Sequence, residues 1–154
     1  MRFYQVYKTP IGEITLVCKE KVITELSFGE KYLKDGIRRE TELLCRGAKQ
    51  LTEYFEGHRK QFSLPLEPEG TEFQKRVWTE LQRIPYGETR SYKEIACAVG
   101  NANACRAVGT ANNRNPIAIL IPCHRVIGSN GALIGYAGGL HTKDYLLRLE
   151  KGSF

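Results

Sequence analysis

The spacing of apolar residues changes period once along this chain, and that change limits the folds open to it. Up to Phe28 the pattern is that of strands. Phe3–Tyr7 and Ile14–Val17 are rich in β-branched and aromatic residues, with turn chemistry between them in Thr9-Pro10-Ile11-Gly12. Val22–Phe28 follows a Lys19-Glu20-Lys21 turn, and strict alternation puts Val22, Thr24, Leu26 and Phe28 on one face. The charged stretch Glu30–Arg39 reads as loop. From Thr41 the period is helical: Leu44, Ala48, Leu51 and Phe55 form one stripe that stops at Gly57. Phe62–Gly70, with Pro65, Pro68 and Gly70, reads as a linker. The fold class is therefore α+β, with an N-terminal α/β part over residues 1–69 and a helical part over residues 70–154.

The second part opens on Thr71-Glu72-Phe73-Gln74, a capping box in which Thr71 and Gln74 satisfy free amides at a helix start. Phe73, Val77, Trp78 and Leu81 supply its apolar face, and Pro85-Tyr86-Gly87 ends it. A second capping box, Ser91-Tyr92-Lys93-Glu94, opens a helix through about Val99. After the turn Gly100-Asn101-Ala102-Asn103, residues Ala104–Asn112 read as helix again. Two short helices joined by a few residues including glycine form the pattern of a helix-turn-helix. In the second of them Ala104, Cys105, Ala107, Gly109, Thr110 and Ala111 are all small, around one long cation, Arg106. Such a helix suits close packing on a core or close approach to a nucleic-acid groove; a lone protruding arginine favours the groove.

Charge points the same way. The formal net charge is +6, and residues 1–70 carry 12 Lys/Arg against 11 Asp/Glu, whereas residues 71–154 carry 11 against 6. The excess sits in the helix-turn-helix half, where it attracts polyanions. The 154 residues are enough for a proper core, and no apolar run approaches bilayer-spanning length. The N-terminus has no signal-peptide pattern, so a cytoplasmic location is the expectation. Five scattered cysteines, Cys18, Cys45, Cys97, Cys105 and Cys123, form neither a disulfide framework nor a zinc-spaced cluster, and no metal is expected. Most of them read as small core residues.

Cys123 is different. The run Asn115-Pro116-Ile117-Ala118-Ile119-Leu120-Ile121-Pro122 delivers it beside His124 and Arg125. A thiol is a strong nucleophile only as thiolate, and imidazole is one of the few groups able to take its proton near neutral pH. Adjacent side chains on a strand point apart, so the pair cooperates only if the chain turns there. Pro122 and Gly128 supply the means.

These segments together resemble the O6-alkylguanine-DNA alkyltransferases. The resemblance rests on Ile121-Pro122-Cys123-His124-Arg125-Val126 and on Ile84-Pro85-Tyr86-Gly87, Ser91-Tyr92, Arg106-Ala107-Val108-Gly109, Asn115-Pro116, Tyr136-Ala137-Gly138-Gly139 and Leu146-Leu147…Glu150. It is colinear from about Gly70 to the C-terminus. It implies a ribonuclease-H-like supporting domain over residues 1–69 and a winged-helix-like DNA-binding and transfer domain over residues 70–154.

The resemblance also implies roles. Cys123 accepts the alkyl group from guanine O6 (O4-alkylthymine being a second candidate substrate) and ends as a thioether. His124 draws the thiol proton through a water, and Glu150 holds and polarises His124. Asn115 braces the approach to the cysteine, and Tyr92 protonates the leaving guanine. Backbone groups of Cys123, Val126 and Ala137 read the guanine edge, while Lys143 and Tyr136 complete the pocket. Ala104, Cys105, Ala107, Gly109, Thr110 and Asn113 line the helix that enters the minor groove of double-stranded DNA. Arg106 fills the stack vacated by the flipped base, which has to leave the duplex before it can react. No cofactor, no membrane and a monomer are implied. Ala137 stands where many relatives have serine, and Asn113 where some have arginine. Some relatives carry zinc in the N-terminal part; no such ligand set is evident here. Two rivals remain at this point: a non-catalytic alkyltransferase-like lesion binder, which has tryptophan at the cysteine position, and a Cys-His peptidase, which leaves the basic half unexplained.

Overall fold

A computed structural model describes residues 1–154, and the chain divides into two compact units, Met1–Pro68 and Glu69–Phe154. In the first unit, strands β1 (Arg2–Thr9), β2 (Gly12–Lys19), β3 (Val22–Phe28) and β4 (Gly36–Arg38) form one sheet in the order β3-β2-β1-β4. The first three are antiparallel neighbours; β4 runs parallel to β1. Helix α1 (Glu42–Phe55) starts at Thr41, whose hydroxyl accepts from the Leu44 amide, and packs against the sheet. Gly47 makes that approach possible: a β carbon there would lie 2.9 Å from Leu16 Cδ2. On the other face, Leu33 covers Tyr4 and Val17, all three buried.

The sheet departs from the sequence reading in three places. Gly36–Arg38 lies in the stretch read as loop, yet it pairs with Arg2–Tyr4, and Arg39 N donates to Tyr4 O. The strand is held by backbone bonds and carries no apolar alternation to reveal it. In β3 the register shifts opposite Val17/Cys18, leaving Thr24 without a strand partner. This bulge breaks the expected face: Ile23 and Leu26 are buried, whereas Val22, Thr24 and Phe28 are half-buried. The Pro-rich stretch is likewise no free linker before Pro68. Ile23 N donates to Pro65 O, Glu67 N to Ile23 O, and Gln50 exchanges hydrogen bonds with Ser63.

The second unit contains α2 (Glu72–Gln82), α3 (Tyr92–Ala98), α4 (Cys105–Asn113) and α5 (Leu140–Lys151). Both capping boxes form, at Thr71/Gln74 and Ser91/Glu94. To these helices the fold adds a parallel pair, β5 (Arg90–Ser91) with β6 (Val126–Ile127), which pins the chain on either side of the helix-turn-helix. Trp78 is 1% exposed, and its indole N–H donates to Ala111 O at 2.8 Å, tying α2 to the end of α4. Gly70 lies over the ring, where a β carbon would come 2.5 Å from Trp78 Cη2. Of the five cysteines only Cys18 and Cys123 are buried; Cys45 and Cys97 are exposed and Cys105 is half-buried. Small-core packing therefore does not account for most of them.

Candidate active site

Two tight turns shape the segment that presents Cys123. Ile119 sits at φ +70°, and Leu120 N donates to Ala118 O across it, the γ-turn of positive φ. A β-branched residue there costs about 1–3 kcal/mol, so the turn has to be enforced by its surroundings: Ile119 is buried, and Ile121 N donates to Ile117 O around it. Pro122 then has φ −80° and ψ 65°, and Cys123 N donates to Ile121 O at 2.8 Å, forming an inverse γ-turn. Proline's ring presets that φ. The chain continues as a 3₁₀ turn over Cys123–Arg125, so the two neighbours are not splayed as on a strand. Asn115 braces the segment from outside it: its Nδ2 donates to Ile121 O at 2.7 Å and its Oδ1 accepts from Ile117 N.

His124 is fully buried, and its Nε2 lies 2.7 Å from Glu150 Oε2 on α5. A carboxylate partner makes Nε2 the protonated nitrogen, which leaves Nδ1 with a lone pair. Nδ1 is buried and has no hydrogen-bond partner in the protein. Burial keeps the imidazole below its usual pKa, against the pull of Glu150, so His124 rests as a neutral base. Burial alone would raise Glu150, but the hydrogen bonds from His124 and Arg125, together with the Arg125 charge, hold it at about 2. Arg125 grips both carboxylate oxygens, Nε to Oε1 at 2.7 Å and Nη2 to Oε2 at 3.0 Å, and its Nη1 donates to Ile84 O.

Cys123 is 6% exposed, and burial pushes its thiol above the ordinary range, against the Asn115 side chain, the Lys143 ammonium and the Tyr136 hydroxyl. It rests as a thiol. Direct activation by its neighbour is therefore not the arrangement found: His124 turns its protonated nitrogen to Glu150, and its Nδ1 has no hydrogen bond to the thiol. Lys143 is buried, lowered by that burial to about 8 yet supported by Cys123, and its Nζ donates to Ile134 O at 3.1 Å. Tyr92 donates its hydroxyl to the same carbonyl at 2.8 Å. In this state its proton is engaged by the protein. The Cys123 backbone is committed too, its N–H to Ile121 O and its carbonyl to Asn112 Nδ2 and the Val126 amide. In this state both backbone groups of Cys123 are engaged within the protein. Val126 is buried in β6, Ala137 is exposed, and the half-buried Tyr136 has its hydroxyl beside the thiol.

Helix α4 has two faces. Arg106, Ala107, Thr110 and Asn113 are exposed; Val108, Ala111 and Asn112 are buried. Ala104 and Cys105 are half-buried at its start, and Gly109 lies beside the Tyr92 ring. Apart from Arg106, the exposed face therefore carries only short side chains.

The sequence pattern of the 6-O-methylguanine DNA methyltransferase DNA binding domain matches residues 72–152, and that of the ribonuclease-like domain of the same proteins matches residues 2–68. The chain belongs to the 6-O-methylguanine DNA methyltransferase family. Methylated-DNA–protein-cysteine methyltransferase of Methanosarcina acetivorans is 51% identical over 152 residues, spanning 96% of this chain and 97% of that one. The constitutive enzyme of Bacillus subtilis is 47% identical, spanning 100% and 98%. Among solved structures, Mycobacterium tuberculosis OGT in complex with DNA superposes with a TM-score of 0.92 at 45% identity, covering 97% of this chain and 93% of that one.

Within this member of the family, one buried cluster brings together Cys123, His124, Glu150, Asn115, Tyr136 and Lys143, with Tyr92 at its edge. Arg106 and the small residues of α4 lie on a separate, outward face. Sequence reasoning missed two members of the cluster. Arg125 carries the countercharge of Glu150, and Asn112 donates to the Cys123 carbonyl at 3.3 Å. For Arg125 a signal was present: an arginine inside an otherwise apolar, buried run needs an acid, and Glu150 is the acid on α5 that turns inward.

Proposed function

We propose that this protein performs direct-reversal DNA repair, moving the alkyl group of O6-alkylguanine in duplex DNA irreversibly onto its own Cys123. The observation that carries the reading is the 2.7 Å contact of His124 Nε2 with Glu150, one residue from a buried cysteine, which leaves Nδ1 as an unengaged base. Residues 70–154 bind DNA from the minor groove and carry the chemistry, and residues 1–69, a ribonuclease-H-like unit, support them. Arg106 enters the stack as the lesion is flipped out, offsetting part of the few kcal/mol that extrusion costs. The protein acts as a cytoplasmic monomer and needs no cofactor.

In the transfer, the Cys123 proton passes through a water to His124 Nδ1 as Sγ attacks the alkyl carbon opposite O6. The S–C bond forms, the C–O6 bond breaks, and the electron pair stays on the guanine. Tyr92 leaves the Ile134 carbonyl and protonates the guanine, and the imidazolium proton restores the phenol through solvent. Val126 and Ala137 read the base edge, and Lys143 offsets the developing thiolate. Glu150 offsets the developing imidazolium. A thioether has no easy route back, so each molecule reacts once.

The deciding measurement is the mass of the tryptic peptide holding Cys123 after incubation with duplex DNA containing O6-methylguanine. It should gain one methyl group per protein. Intact DNA binding with no mass gain would leave a non-catalytic lesion binder. Arg106→Ala should slow transfer roughly tenfold, about 1.4 kcal/mol of lost stabilisation of the flipped state. Single-turnover rates on duplex and on single-stranded lesion DNA separate this effect: the loss should be confined to duplex, where there is a stack to fill.

A further inference from the structure

We propose that Asn112 is a positioning residue for Cys123, linking the DNA-facing helix α4 to the reactive turn. The inference rests on the reading above that Cys123 is the acceptor and α4 the docking helix. Asn112 is 1% exposed, on the side of α4 opposite Arg106 and Thr110. Its Nδ2 donates to Cys123 O at 3.3 Å, and one turn further on Asn115 Nδ2 donates to Ile121 O at 2.7 Å. The carbonyls on either side of Pro122 are thus held by the last turn of α4 and by the loop that leaves it. The same end of the helix is tied to α2, whose Trp78 indole donates to Ala111 O.

Packing alone does not call for asparagine here. Its Oδ1 is buried with no hydrogen-bond partner, whereas a leucine would fill similar space and leave no acceptor unsatisfied. What the amide adds is a directional tie to the residue that reacts. At 3.3 Å the bond lies just beyond the usual range of about 2.7–3.2 Å, so a small shift of α4 tightens or breaks it. In an in-line displacement the sulfur must face the alkyl carbon along the C–O6 axis, and displacement of about 1 Å can cost a hundredfold in rate. A pull on the Cys123 carbonyl moves the sulfur with it, since the 3₁₀ turn leaves that residue little freedom.

The test is single-turnover methyl transfer by Asn112→Leu across a range of lesion-duplex concentrations, with a thermal melt of the same sample. The expected result is a tenfold or greater fall in the saturating rate, with the half-saturating DNA concentration within twofold of wild type. A purely structural role lowers the melting temperature and leaves the saturating rate per folded molecule unchanged. An Asn112→Leu protein with the wild-type saturating rate overturns the proposal. So does one whose rate loss vanishes at high DNA concentration. If the leucine variant does not fold, Asn112→Gln keeps the amide but displaces it by one methylene and should show the same split; wild-type behaviour there is equally fatal. Wild-type protein that gains no methyl at Cys123 would instead defeat the proposed function itself.

Discussion

Cys123→Ala protein should take up no methyl group from an O6-methylguanine duplex at any time or concentration, yet bind that duplex about as tightly as wild type. The first half follows from chemistry: alanine has no atom that can form the new bond, and no other cysteine is held in the same buried cluster. The second half follows from the geometry. The contacts proposed to dock DNA belong to α4, whose exposed face lies apart from the thiol, and the Cys123 turn is held by its backbone. Removing one buried sulfur should cost about 1 kcal/mol, the scale of one lost methyl-sized group, so the fold survives. Peptide mass reads the transfer, and a mobility or anisotropy titration at fixed salt reads the binding. Methylation at another residue of the variant would move the acceptor assignment elsewhere. A loss of duplex binding matching the loss of transfer would show that the thiol itself holds the lesion.

The elements most legible in the sequence were those fixed by local bonds. Thr71 and Ser91 announce helix starts because each cap closes within three residues, and the structure contains both. The strand β4 was not legible, since its pairing comes from the backbone of Arg2–Tyr4 and its own side chains carry no pattern. The bulge at Thr24 was hidden for a related reason: alternation predicts faces only while the register holds. In the site, Cys123 stood out from its neighbours alone, but the His124–Glu150 pairing spans 26 positions and came from family resemblance rather than spacing. Arg125 and Asn112 lay unread beside it because their partners, at 25 and 11 positions, become neighbours only on folding. The protonation states were beyond the sequence altogether. A Cys-His pair suggests a ready thiolate, whereas burial of both side chains gives a resting thiol and a neutral imidazole.

Glu150→Gln should be the most damaging substitution that leaves the nucleophile in place. The carboxylate accepts from His124 Nε2 and from two nitrogens of Arg125, and its side chain is 1% exposed. Glutamine keeps the shape but removes the charge, leaving the Arg125 guanidinium buried without a counterion. Breaking one partner of a buried pair costs about 3–5 kcal/mol, a large share of the 5–15 kcal/mol that typically separates folded from unfolded protein. The acid limb of stability should change in a characteristic way. Glu150 is held near 2 in the folded protein, so its contribution is complete above the ordinary carboxylate range near pH 4.3 and is lost as pH falls towards 2. In wild type that loss should amount to roughly 3 kcal/mol, and in Glu150→Gln it should be absent, flattening the curve between about pH 5 and 2. His124 acts higher: buried and neutral, it makes the folded state lose stability as pH drops below about 6.5, where the unfolded imidazole protonates. That upper limb should persist in the variant. Transfer should fall by about 10²–10⁴, the span of general-base catalysis, because nothing then balances the imidazolium that forms as the thiol gives up its proton. Urea melts across pH and single-turnover transfer below the variant's melting temperature measure both effects. A variant with wild-type transfer would leave His124 outside the proton path, and one with an unchanged acid limb would mean that Glu150 is not the carboxylate whose ionisation holds this unit together.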